Sequence, residues 1–207
     1  MLMALTFDDG PNTTITPQIL DILERHGAVA SFFLIAQNIT PDSARVVRRA
    51  LALGCEINNH SVSHQHMADM TPEQIDAEIL PCTERIQELT GQAPRFFRPP
   101  YISVSDTLFD QVDLTFICGS GCEDWIPETS VQARIDGVLS QVRDGQIILL
   151  HDSPGNTNTV EAVRFLVPEL ISRGVQLVTC GQLFDARGIQ PRRHRLYSNV
   201  LQTADFV

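Results

Sequence analysis

Basic residues are scarce in this 207-residue chain: 15 Lys and Arg stand against 25 Asp and Glu, for a formal net charge of −10 at pH 7. Phosphate backbones are held by basic faces, so nucleic acid is not an expected partner. A strongly anionic polymer is disfavoured on the same ground, and a neutral polymer or small ligand fits better. Long apolar runs are missing too. No stretch approaches the roughly 20 residues that cross a bilayer, so no membrane role is expected. The N-terminal run from Met1 to Phe7 is too short for a signal peptide and leads straight into a polar motif. Localisation therefore stays open between the cytoplasm and a secreted protein whose leader has been removed. Metal-type cysteine pairs are absent as well. Cys55, Cys82, Cys118, Cys122 and Cys180 are odd in number and scattered, and Cys118 and Cys122 are four apart rather than three. They read as small buried hydrophobes in a reducing compartment rather than as a zinc site. Repeats and low-complexity segments are also lacking, and no linker occurs before about residue 185.

Hydrophobic residues make up 43% and charged residues 19%, the proportions of a globular protein. The length suits one domain with a sizeable core, or at a stretch two small ones. Apolar strand-like runs occupy residues 2–7, 28–36, 55–57, 96–97, 114–118, 146–150 and 175–178. Helical patterns lie between them. One starts at Thr16-Pro17 and ends at Gly27, and another opens at Pro41 and closes at Gly54. A third opens at Thr71-Pro72 and contains Pro81, where a kink or break is expected. Residues 130–142 and 158–173 complete the set. Strands alternating with helices imply parallel strands and right-handed crossovers, in a barrel or a doubly wound sheet. The acidic surface, with no obvious apolar helix face to spare, favours a monomer. From Ala186 the chain turns polar, with Arg187, Arg192, Arg193 and Arg195, and reads as a solvated C-terminal extension over 186–207.

Polar clusters follow the strands, the edge where parallel α/β folds bind ligands. Thr6-Phe7-Asp8-Asp9-Gly10-Pro11 ends a strand on two carboxylates. Forced together, these repel unless a cation lies beside them, so one can bind a metal while its neighbour stays free as a base. An ordinary turn is the plainer reading of Asp-Gly-Pro. Asn59-His60-Ser61-Val62-Ser63-His64 carries two histidines four apart, a spacing that can ligate one ion. His66 follows and is expected to point elsewhere. Asp9, His60 and His64 make a two-histidine, one-carboxylate set that leaves coordination positions open. Phe97-Arg98-Pro99-Pro100-Tyr101 offers an arginine for a carboxylate and a rigid loop for aiming a backbone N–H. Gly121-Cys122-Glu123-Asp124-Trp125 holds the single Trp, and Asp124 there can orient a histidine. In Leu149-Leu150-His151-Asp152, His151 stands at a strand end where a general acid is well placed.

Five such clusters in this order resemble the five motifs of the polysaccharide deacetylases, carbohydrate esterase family 4 (the NodB-homology domain). Thr-Phe-Asp-Asp-Gly at 6–10 is similar to the first motif and His60-Ser61-Val62-Ser63-His64 to the second. Arg98-Pro99-Pro100-Tyr101 is similar to the third, Asp124-Trp125 to the end of the fourth, and Leu149-Leu150-His151 to the fifth. Gly121 departs from the pattern, standing where the fourth motif begins with Asp. The resemblance spans residues 6 to about 185, which would form the catalytic domain 1–185. It implies a distorted (β/α) barrel, often of seven strands, and a divalent metal, zinc first, with cobalt, manganese or nickel as alternatives. It implies Asp8 as general base, Asp9, His60 and His64 as metal ligands, and Arg98 as the holder of Asp8. It further implies Tyr101 as an oxyanion donor through its backbone N–H, Asp124 as orienter of the acid His151, and Trp125 and Leu149 as lining for the acetyl methyl. The expected activity is removal of acetyl groups from carbohydrate. N-acetylated glycans of the chitin or peptidoglycan type come first and O-acetylated xylan second. A non-catalytic carbohydrate-binding protein is the remote alternative.

Overall fold

The computed structural model describes residues 1–203. Strand β1 (Leu2–Asp8) is buried except at Leu2, and its alternation divides the core. Met3, Leu5 and Phe7 pack in the cluster that carries most of the helical side chains, while Ala4 joins Phe33, Phe96, Ile117, Ile147 and Tyr197. Successive strand residues face opposite ways, so Thr6 and Asp8 follow Ala4 along the second face toward the strand's C-terminal end.

The other strands are β2 (Ser31–Leu34), β3 (Glu56–Asn59), β4 (Phe96–Phe97), β5 (Thr115–Ile117), β6 (Gln146–His151), β7 (Gln176–Leu177) and β8 (Leu196–Tyr197). All strand pairings are parallel, in the order β6-β1-β2-β3-β4-β5-β8, with β7 on β1 outside that path. Beyond β8 the chain reaches β6. Ile147 N–H donates to the Ser198 carbonyl and Val200 N–H to that of Gly145, and Ser120 bridges Ile148. The result is a nearly closed α/β barrel in a single domain, with seven strands along its path. The expected strand at 175–178 is present as β7, but β8 takes its place in the ring.

The solvated tail expected from residue 186 describes 186–194, which are half-buried or exposed, but not 195–200. Leu196, Tyr197 and Val200 are buried, as are Arg195, Ser198 and Asn199. Arginines dominate that stretch of sequence, and they mask a short apolar strand that closes the sheet. The expected extension's last four residues, 204–207, lie outside the described residues.

Helix signals read from the sequence match the elements formed. Helix α1 (Thr16–His26) ends on Gly27 at φ 59°, and α2 (Pro41–Ala52) starts with a Thr40–Ser43 capping box. Helix α3 (Pro72–Thr90) starts with a Thr71–Gln74 box and runs through Pro81 as one element. Pro81 lies on the exposed side, where the carbonyl it leaves unpaired is open to water. Helices α4 (Asp106–Gln111) and α7 (Cys180–Arg187) were not among the expected elements, whereas α5 (Val131–Leu139) and α6 (Thr157–Ser172) were. Helix α7 packs Leu183 and Phe184 into the cluster of Ala4, Phe96, Ile147 and Tyr197. All five cysteines are unpaired thiols, with Cys55, Cys82 and Cys180 buried.

Candidate active site

Asp8 and His151 are register partners on adjacent strands β1 and β6, so two residues far apart in sequence end their strands side by side. Asp9 would point away from Asp8 if the strand continued. Its backbone is instead left-handed, with φ 75°, and this turn brings both carboxylates to one cavity. His60 follows β3 directly, and His64 completes a tight loop in which Ser61 (φ 68°) and His64 (φ 60°) are also left-handed. That loop is pinned by Glu78 of α3, which accepts from the Val62 and Ser63 N–H groups and the Ser63 hydroxyl.

Donor atoms of Asp9, His60 and His64 all lie within 4.8 Å of one another. His60 Nε2 is 3.6 Å from Asp9 Oδ1, and His64 Nε2 is 3.4 Å from the same oxygen. The other nitrogen of His60, Nδ1, is 2.6 Å from the Arg98 carbonyl. A carbonyl only accepts, so Nδ1 carries the proton and Nε2 offers its lone pair toward Asp9. Asp9 Oδ1 is buried without a hydrogen-bond partner among the described residues. An orphaned carboxylate oxygen facing two imidazole nitrogens is the donor set of a divalent cation, and the three residues fit one. Burial works against the charged Asp9 carboxylate, yet His60, His151 and His64 together hold its pKa below the usual range. Burial and the charge of His60 push His64 downward, toward the neutral ligating form.

Arg98 follows β4 and is fully buried. Its Nη1 donates to Asp8 Oδ1 at 2.5 Å and its Nη2 to Thr6 Oγ1 at 2.8 Å. The guanidinium carbon sits 4.2 Å from the centre of the Phe33 ring. Opposite it, Gly119 has φ 76°, and a Cβ there would lie 3.0 Å from Arg98 Nη2. Only glycine combines that backbone with that closeness. Asp8 thus has one oxygen held by Arg98, while its other oxygen lies 3.6 Å from His60 Nε2.

Asp124 is also fully buried. Its Oδ1 is 2.8 Å from His151 Nδ1, and its Oδ2 accepts from the His151 backbone N–H at 2.7 Å. Burial opposes a charged imidazole at 151, but the hydrogen bond and charge of Asp124, with Asp8 and Asp9, outweigh it and raise the His151 pKa to about 9. In the metal-free site His151 therefore carries a proton at neutral pH, and Nε2 is the ring nitrogen that Asp124 leaves free.

These groups share a cavity of about 330 Å³ lined by Asp8, Asp9, His60, His64, Tyr101, Trp125, Leu149 and His151, with Pro99 and Ile102. Tyr101 and Trp125 are more than half exposed at its rim. Trp125 sets its ring edge-on to His151 at 5.4 Å. Gly121 explains part of that placement, because a Cβ there would come within 3.3 Å of the Trp125 ring. All ten residues singled out from the sequence thus converge: nine line the cavity or, as Arg98 does, bond to a residue that lines it, and Asp124 stands behind His151. His66 stays outside the candidate metal group, as expected, but stacks on Tyr101 at 3.8 Å and 12°.

Sequence reasoning missed the supports. Asn156 and Thr159 bond to Asp124 or His151, yet single Thr and Asn residues carry no pattern; Thr6 lies in the first motif, but its bond to Arg98 is visible only in the fold. Asp152 stands next to His151, and the sequence assigns it no role. It is fully buried, accepts from the Thr16 hydroxyl, and burial with the charges of Asp9 and Asp8 raises its pKa to about 7.

A family model described as polysaccharide deacetylase matches residues 1–115. A bifunctional xylanase/deacetylase of Pseudobutyrivibrio xylanivorans is 44% identical over 96% of this chain, and the match takes in 33% of that protein. This chain thus spans about a third of that relative's length. A peptidoglycan-N-acetylglucosamine deacetylase of Bacillus cereus is 32% identical over 88% of the chain and 68% of its own length. A family 4 acetyl xylan esterase of Clostridium thermocellum, solved in complex with a cobalt ion, superposes with a TM-score of 0.94 at 42% identity, covering 98% of this chain and 100% of that one.

Proposed function

This chain belongs to the polysaccharide deacetylase family, carbohydrate esterase family 4, a family of hydrolases, and on that premise we propose that it removes O-acetyl groups from xylan-type polysaccharide. The proposal reverses the order expected from the sequence, where N-acetylated glycans came first. Likeness supports the reversal: identity is 44% and 42% to the two xylan-associated proteins and 32% to the peptidoglycan deacetylase. The observation that carries the chemistry is the pairing of Asp8, clamped by Arg98, with His151, clamped by Asp124, beside the Asp9–His60–His64 group.

Asp9, His60 and His64 would hold a divalent cation, zinc first, with cobalt, manganese or nickel as alternatives; when bound it would supply Lewis acidity, bringing the pKa of water from about 15.7 toward about 7. Asp8 accepts the proton of the attacking water as the new C–O bond forms at the acetyl carbon. Arg98 keeps that carboxylate anionic and aimed. The carbonyl oxygen takes on charge, and the Tyr101 backbone N–H donates to it, a contact worth roughly 3 kcal/mol. The bond to the sugar oxygen then breaks, and His151 supplies the proton that oxygen needs. Trp125 and Leu149 form the apolar wall for the acetyl methyl. An amide nitrogen would be served by the same groups, so the linkage is a matter for the assay.

Acetate release from acetylated xylan and from acetylated chito-oligomers, with and without chelator, tests the proposal. Faster release from xylan, abolished by chelation, is the expected result. Preference for chito-oligomers would restore the N-acetyl reading, and release from neither would reject the substrate class.

A further inference from the structure

Arg134 of α5 is a buried charge that the chemistry above does not use. It is 1% exposed, and among the described residues it has no carboxylate at ion-pair distance. Neutral oxygens take its protons instead. Nε donates to the Thr129 carbonyl at 3.0 Å and Nη2 to that of Ile126 at 3.0 Å. Nη1 donates to Asn156 Oδ1 at 2.5 Å and to Thr159 Oγ1 at 2.8 Å. The last two acceptors lead to the acid histidine. We infer that Arg134 is a positioning residue, setting the orientation of the Asp124–His151 pair through Thr159 and Asn156.

Arginine only donates. The Thr159 hydroxyl must therefore accept from Arg134, and its single proton is left for Asp124 Oδ2, 2.8 Å away. Asn156 is fixed the same way. Its oxygen faces Arg134, so its amide nitrogen donates to the Asp124 carbonyl at 3.2 Å and to the His151 carbonyl at 3.0 Å. One guanidinium thus decides the polarity of two side chains, and both grip the residues that aim His151. A lysine would not reproduce this, because its compact ammonium lacks the planar fork. Removing Arg134 frees the Thr159 proton to turn away and the Asn156 amide to flip. Asp124 then loses a donor, and His151 its fixed angle.

The inference rests on His151 acting as the acid, and the test separates the two. The holoenzyme is assayed on acetylated xylan, whose sugar oxygen needs a proton, and on 4-nitrophenyl acetate, whose leaving group needs none. Thr159→Val removes the bridging hydroxyl at nearly constant volume, and Arg134→Met removes the guanidinium. Both should lower kcat on acetylated xylan about tenfold while moving KM and the 4-nitrophenyl acetate rate by less than about twofold. If Arg134→Met fails to fold, Thr159→Val carries the test alone. Equal losses on both substrates, or no loss on either, would overturn the inference. His151→Asn is the control: if it shows the same split and Thr159→Val does not, Arg134 alone is misassigned. If His151→Asn shows no split, the acid assignment fails and this inference with it.

Discussion

Asp124→Asn is the sharpest probe of the acid pair. Asp124 accepts from His151 Nδ1, from the His151 backbone N–H and from the Thr159 hydroxyl. Asparagine keeps one acceptor and turns the other into a donor. Its oxygen can stay on the backbone N–H and the hydroxyl, which leaves its NH₂ group facing Nδ1. That nitrogen must then give up its proton and accept, so the imidazole becomes neutral. The hydrogen bond and charge of Asp124 are the leading forces that hold the His151 pKa at about 9 instead of 6.5. Losing them returns it toward 6.5, a change of roughly 2.5 units or about 3 kcal/mol on a side chain only 14% exposed. At pH 8 the protonated fraction falls from roughly nine-tenths to roughly 3%, about thirtyfold. A cation at Asp9 lowers His151 in both proteins, so the difference between them is what counts. The assay is kcat against pH on acetylated xylan. In the mutant, the high-pH limb should move down by about 2.5 units. A limb at the wild-type pH with reduced height would refute the reasoning, because Asp124 would then not govern the protonation of His151.

Asp8→Asn should keep the cation bound, read by metal analysis of the purified protein, while kcat falls at least about a hundredfold, because only the base is lost; near-normal turnover would reject Asp8 as base. Asp152 predicts a pH dependence of stability. Its folded pKa is raised from 3.8 to about 7, so its contribution is full below pH 3.8 and lost as the pH rises through about 7. Asp152→Asn should therefore raise the Tm of the metal-free protein at pH 8 and flatten its slope between pH 4 and 7, and a lower Tm at pH 8 would contradict this. Tyr197→Ala should cost about 3–5 kcal/mol in denaturant unfolding, since it empties a fully buried site in the strand that closes the sheet; a loss under about 1 kcal/mol would mean the segment is peripheral.

Much of the fold was legible because alternation and caps are local. The apolar runs at 2–7 and 146–150 formed β1 and β6 with shifts of one residue, and Thr71-Pro72 and Gly27 marked helix ends where expected. Strand β8 was not legible. Two residues among arginines have no periodicity, and their burial depends on a gap between β5 and β6 that exists only once the barrel is assembled. Helix α7 was missed for a similar reason: it is short, and its apolar residues are defined by the barrel they pack against.

By itself, the sequence determined which groups meet. Each of Asp8, Asp9, His60, Arg98, Asp124 and His151 lies at or beyond the end of a strand, and parallel strands put their ends on one rim. Tertiary structure alone decided how those groups are held and charged. The left-handed turn at Asp9 puts two carboxylates in one cavity. The Arg98 carbonyl fixes the His60 tautomer, and Arg134 reaches Asp124 through Thr159 and Asn156. The physical reason is range. Strand and cap patterns are written within a few neighbouring residues. Hydrogen-bond direction and proton affinity depend on partners tens of residues away, and on the water their packing excludes.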